Sequence, residues 1–243
     1  MPSHALPRPP SRRAHIGKPA RPAPARPRRE IDAIVATLKR TVRAWAPTAV
    51  GAIAQDGGDP FRILISCLIS LRTTDAVTGP AAERLFRLAQ TPEAMARLVP
   101  RAIASAIYPA SFYRTKGRTV REVCRTLLRD FGGRVPDSLE DLLRLKGVGR
   151  KTANLVVTLG YRRPGICVDT HVHRIANRLG LVRTKTPEAT EFALRAILPR
   201  RHWIPLNDLL VAFGQNLCRP LSPFCSRCPI ATLCPRVGVA RSR

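Results

Sequence analysis

The chain has 243 residues, and 44% of them are apolar, enough for one large domain or two small ones with a real core. Its 42 basic residues against 16 acidic ones leave a net charge of +26 and a pI near 11.5. That excess argues against an enzyme indifferent to polyanions and puts nucleic acid first among partners. No run of 18 apolar residues is available to span a membrane, and the N-terminus lacks the apolar segment of a secretory signal.

Residues 1–29 hold eight prolines, eight Lys/Arg and no acid, so an extended, disordered basic arm is expected there. An organellar targeting peptide is also Arg-rich and acid-poor, but it forms an amphipathic helix, which the prolines oppose. The expected compartment is therefore cytoplasmic, reducing and DNA-containing, of the bacterial nucleoid type, with organelle targeting as the alternative.

Beyond the arm the pattern is helical. Ile31, Ile34, Val35, Leu38, Val42 and Trp45 fall at helical spacing. Asp59-Pro60, Thr91-Pro92 and Thr186-Pro187 each pair a capping side chain with proline at the first helical position. A helix is expected over 120–131, closed by Gly132-Gly133, and Ser138 should cap another over 139–145. No alternating stretch suggests a strand, and no repeat is visible, so the fold class expected is all-α.

Three motifs carry chemistry. The first is Leu145-Lys146-Gly147-Val148-Gly149-Arg150-Lys151, two glycines flanking a valine between two amphipathic helices. The glycines permit a tight turn and a close backbone approach, Val148 pins the helices, and the N–H groups opening the second helix suit a DNA phosphate. Gly147, Val148, Gly149 and Arg150 are thus candidate DNA-binding residues; a plain helix–helix turn is the bland alternative.

The second motif pairs Lys151 with Asp169 in Val168-Asp169-Thr170-His171. A free lysine, with a pKa of about 10.4, is a poor nucleophile. The positive end of a helix dipole and partial burial favour the neutral amine, which can attack a sugar carbon and form a Schiff base. Asp169 opens another helix, so a plain N-cap competes with a role facing the lysine. His171 and His173, two apart on that helix, point to different faces and read as packing or DNA contacts rather than metal ligands.

The third motif is Cys218, Cys225, Cys228 and Cys234, spaced C-x6-C-x2-C-x5-C. Clustered cysteines in a chain without a secretory signal argue for metal over disulfides. Only one C-x2-C pair is present where zinc ribbons use two, and thiolates on a compact loop suit an iron–sulfur cube; zinc and disulfide remain as alternatives. Cys67, Cys124 and Cys167 read as core thiols.

Taken in order, LKGVGRKTANLVV, VDTHVHRIANRLGL and CRPLSPFCSRCPIATLC resemble endonuclease III, the iron–sulfur branch of the helix–hairpin–helix DNA glycosylases. The resemblance covers about residues 30–235. It implies a six-helix barrel over 53–163, an iron–sulfur domain built from 30–52 and 164–234, a C-terminal tail at 235–243, and a DNA-binding cleft between the two helical domains. It further implies a [4Fe–4S] cluster on the four cysteines, Lys151 as nucleophile and Asp169 as its acidic partner. The activity implied is that of a monomeric glycosylase and AP lyase acting on oxidised pyrimidines or abasic sites in double-stranded DNA. A thymine or uracil mismatch glycosylase is the alternative, and a basic iron–sulfur protein without catalysis a weaker one. Two wedge segments depart from the family pattern. Arg72 stands where glutamine is common and Phe112 where leucine is common, and Lys116 completes the expected DNA-contact set.

Overall fold

The computed structural model describes residues 26–243, so the expectation for the arm lies largely outside the described residues. Within them the protein is helical, with no strand. The chain runs through α1 (Arg28–Val42), α2 (Ala49–Gln55), α3 (Pro60–Ser70), α4 (Asp75–Leu88), α5 (Pro92–Arg97), α6 (Pro100–Ile107) and α7 (Tyr113–Phe131). It continues through α8 (Leu139–Leu142), α9 (Arg150–Leu155), α10 (Thr170–Arg178), α11 (Pro187–Ile197) and α12 (Leu206–Asn216). No described helix is long and apolar enough to cross a membrane.

The capping signals behave as their chemistry dictates. Asp59, Thr91, Ser138 and Thr186 each accept a backbone N–H three residues on, at 3.1–3.2 Å. Gly132 and Gly133 take φ of +58° and +78° to stop α7, with Gly133 N–H returning to the Leu127 carbonyl. α7 begins at Tyr113, seven residues before the expected start at 120. Gly117 does not break it; a Cβ there would lie 2.5 Å from the Pro100 carbonyl, so the glycine lets α7 lie directly on α6. α8 is shorter than expected, and turn hydrogen bonds carry the chain from Leu142 to Leu145.

Two hydrophobic cores result. One gathers α2 to α9, around side chains such as Ile63, Leu64, Leu85, Ile103, Val123 and Leu142. The other joins α1 to α10, α11 and α12 around Ile31, Leu38, Ile175, Leu194 and Phe213. The expected boundary at 52/53 cuts α2, whose Val50 belongs to the first core. The chain crosses between the cores at 166–168, where Ile166 and Val168 enter the second and Cys167 the first.

Residues 235–243, the expected C-terminal tail, wrap back over the cysteine loop. Val237 N–H bonds to the Arg178 carbonyl, and Arg243 both donates to Pro223 and accepts from Ser226. Arg243 also shares the Phe224 ring with Arg219 and Arg227, at 4.7, 5.2 and 4.5 Å from its centre.

Candidate active site

The hairpin forms as its composition requires. Gly147 sits at φ +81°, Gly149 is the N-terminal flank of α9, and both are exposed, while Val148 between them is buried in the first core. α9 has only six residues before its last turns widen into a π-helical segment over Val156–Gly160. Lys151 lies in the first turn of α9, which belongs to the first core, and Asp169 caps α10, which belongs to the second. Their meeting point is therefore the seam between the two halves.

Asp169 performs two tasks with two oxygens. Its Oδ1 accepts the N–H groups of His171 and Val172, both at 2.9 Å, and so caps α10. Its Oδ2 faces Lys151 Nζ at 3.9 Å, an ion-pair distance rather than a hydrogen bond. The Asp169 side chain is 9% exposed and that of Lys151 43%, so the acid is fixed and the amine can be reached. Behind the lysine, burial pushes the Cys67 thiol up to about 12 and the Cys167 thiol well above its usual value. Both thiols stay neutral, which leaves Asp169 as the nearest anion to the amine.

The pair opens on a pocket of about 220 Å³ that also takes in Thr48, Asp75, His171, Asp208 and Gln215, from both halves of the molecule. Lysine, acid and pocket together are suited to covalent attack by an amine on an electrophilic carbon whose leaving group is held beside it. His171 Nδ1 meets Arg174, while His173 turns the other way to Thr190. Burial lowers the pKa of His171.

The expected DNA-contact residues divide. Arg72 and Phe112 are both exposed and both left-handed, at φ +54° and +57°. The guanidinium of Arg72 lies 5.8 Å from the Phe112 ring centre, so two segments distant in sequence form one protrusion. Lys116 corrects the expectation: it is 7% exposed, and its ammonium donates to the carbonyls of Ile69 and Leu71 and to Thr73 Oγ1 at 2.5, 2.7 and 2.9 Å. With all three donors used, it ties the two wedge segments together and has none left for a phosphate. The guanidinium of Arg150 is likewise committed, in a two-pronged contact to Glu191 that bridges α9 and α11. Arg195 binds the same carboxylate and Asn154.

The four clustered cysteines line a small apolar hollow with Ile175, Leu179, Phe213 and Ile230. Buried Arg178 donates to Cys218 Sγ at 3.3 Å and to the carbonyls of Arg219 and Pro220. Four sulfur donors gathered on one compact, apolar-lined loop fit a cluster held by thiolates. Cys67, Cys124 and Cys167 are buried elsewhere, as expected of core thiols.

Two pairs of pocket residues carry no local sequence signal for their contact. Thr48 Oγ1 donates to Asp208 Oδ1 at 3.3 Å across 160 positions, and Gln215 donates to Asp75 at 3.1 Å across 140. Only the folded chain brings these together.

Residues 65–200 match the family model for the HhH-GPD superfamily base excision DNA repair protein. Endonuclease III of Thermotoga maritima is 48% identical over 176 residues, covering 72% of this chain and 83% of the relative. The chloroplastic endonuclease III homolog 2 of Arabidopsis thaliana is 44% identical over 184 residues, and the match spans 48% of that longer protein. Among solved structures, a non-covalent endonuclease III–DNA complex superposes with a TM-score of 0.77 at 30% identity, covering 86% of this chain and 96% of that one. A trapped endonuclease III–DNA covalent intermediate superposes with a TM-score of 0.69 at 35% identity, covering 73% and 84%. The chain belongs to the HhH-GPD superfamily of base excision DNA repair proteins, among the relatives of endonuclease III.

Proposed function

We propose that this base excision repair glycosylase and lyase removes oxidised pyrimidines from duplex DNA, with Lys151 as nucleophile and Asp169 as its acidic partner. The observation that carries the reading is the reachable amine 3.9 Å from a fixed, capped carboxylate at the mouth of a two-sided pocket. A base cannot be attacked inside the stack, so the nucleotide turns out into the pocket, and the protrusion made by Arg72 and Phe112 fills the gap. The exposed glycines of the hairpin and the α9 N-terminus approach the backbone phosphates.

The chemistry follows in balanced steps. Neutral Lys151 attacks C1′, the glycosidic bond breaks, and the base departs with the bonding electrons and takes up a proton. Asp169 favours the positive charge that develops on the sugar. The amine loses its protons as the sugar ring opens to the imine. Removal of a C2′ proton then expels the 3′ phosphate by β-elimination, and water releases the lysine.

Cys218, Cys225, Cys228 and Cys234 are assigned to a [4Fe–4S] cluster, supported by their gathering around one apolar-lined hollow and by Arg178 beside Cys218. When bound, the cluster supplies cross-linking and charge rather than bond chemistry. The protein should then absorb near 400 nm, an order-of-magnitude position for thiolate–iron bands, and Cys225→Ser should lose that absorbance.

Borohydride trapping on lesion-bearing and abasic duplexes tests the reading as a whole. A covalent adduct with both is expected. No adduct, or excision confined to thymine or uracil opposite guanine, would move the protein to a different branch of glycosylase chemistry.

A further inference from the structure

The pocket beside Lys151 holds three carboxyl groups, and the chemistry above uses one. Asp169 is committed to the α10 cap and to Lys151. Asp75 accepts from Gln215. Asp208, in the first turn of α12, has Thr48 Oγ1 as its one hydrogen-bond partner among the described residues, and no cation pairs with it. Thr48 is itself fixed, because the same oxygen accepts Gly51 N–H to cap α2. Gly51 permits that cap: a Cβ there would lie 2.8 Å from Thr48 Oγ1, with both Asp208 oxygens at ordinary contact distance, 3.5 Å. Asp208 thus lines the pocket, held by Thr48 and without a paired cation.

We propose that Asp208 is a specificity-determining residue that reads the Watson–Crick edge of the extruded pyrimidine, its carboxyl giving one hydrogen bond and accepting another. This rests on the reading that the pocket receives an oxidised pyrimidine. Burial, helped by the charge of Asp75, raises the Asp208 carboxyl above its ordinary value. Once it has taken up a proton, this carboxyl places an O–H donor beside a carbonyl acceptor. Against a uracil-type edge, the O–H meets a ring carbonyl and the C=O takes the N3 proton. Against a cytosine-type edge, the O–H meets N3 and the C=O takes an amino proton. One side chain therefore serves both kinds of damaged pyrimidine without rearranging.

The test exploits an abasic site, which offers no base to read. The full chain is assayed on duplexes carrying dihydrothymine, 5-hydroxycytosine or a preformed abasic site. Asp208→Ala is expected to lower excision of both bases tenfold or more, in keeping with polar groups left unpaired, while strand scission at the abasic site changes less than twofold. Asp208→Asn keeps a donor and an acceptor in place and should restore excision to within threefold of the parent. Should Asp208→Ala fail to fold, Asp208→Leu against Asp208→Asn carries the same comparison.

Equal losses on lesion and abasic duplexes overturn the proposal in favour of a purely structural tie between α2 and α12. So does undiminished excision by Asp208→Ala. An Asn variant as poor as Ala also overturns it, because proton transfer would then be the role. A parent chain that excises no oxidised pyrimidine takes down the functional reading along with this one; a parent that does, beside an indifferent Asp208→Ala, takes down only this one.

Discussion

Lys151 and Lys116 are the same residue in two regions, the cleft and the wedge, and the surroundings give them opposite characters. Lys151 is 43% exposed and has one carboxylate oxygen at 3.9 Å, too far for a hydrogen bond. Lys116 is 7% exposed, and three oxygens within 2.9 Å occupy every proton of its ammonium. The first amine has spare donors and an open approach; the second has neither. Reactivity in this molecule is therefore set less by residue type than by how many protons the surroundings already hold.

The sharpest way to break this contrast is to exchange the roles by mutation. Lys151→Ala is expected to abolish the borohydride adduct and to reduce excision by ~10³-fold or more, as for loss of a nucleophile; an adduct of parental yield would shift the chemistry to another amine. Asp169→Asn comes next. Asparagine caps helices about as well as aspartate, so the melting temperature should hardly move while excision falls by roughly 10²–10⁴-fold. A large loss of stability instead would mean that the cap depends on the charge. Lys116→Met should leave the adduct intact and destabilise the fold by about 3 kcal/mol, since the Ile69 and Leu71 carbonyls lose their donor. Urea unfolding measures this, and a neutral result would deny the tie.

The smallest effect is one of pH. Burial pushes the Lys116 amine down from 10.5 to about 8. Below 8 it is charged whether the chain is folded or not. Between 8 and 10.5 the folded protein has released a proton that the unfolded chain still holds, so this residue's contribution to stability improves as pH rises. The difference in melting temperature between parent and Lys116→Met should grow from pH 7.5 to 10; a constant difference would place the amine at its ordinary value.

The parts of the site carried by local chemistry were legible in the sequence. Glycine spacing announces the hairpin because only a short list of residues makes that turn, and a cap residue ahead of an apolar run marks a helix start wherever it occurs. Asp169 shows the limit of that logic. The cap reading and the partner reading were weighed as rivals, and the geometry gives each its own oxygen. Lys116 departs from the expectation because its place at the end of the second wedge segment suggests a DNA contact, and nothing local shows that its ammonium is used up. What buries it is the 69–73 loop, more than 40 residues away. Thr48 and Asp208 were invisible for the same reason, since nothing within 100 positions of either signals their contact. α4 and α12 also lack a capping side-chain bond, which removed the clue that located their neighbours.

The bridge from Arg150 through Glu191 to Arg195 joins the helix that carries Lys151 to the opposite half of the protein. Fastened there, the two halves are tied together beside Lys151, and any bending of the duplex needed to reach the amine costs elastic energy that varies with the local base steps. Lesions flanked by easily kinked pyrimidine–purine steps should accordingly be processed faster than the same lesions in stiff A-tracts, a preference for sequence at positions the protein never touches.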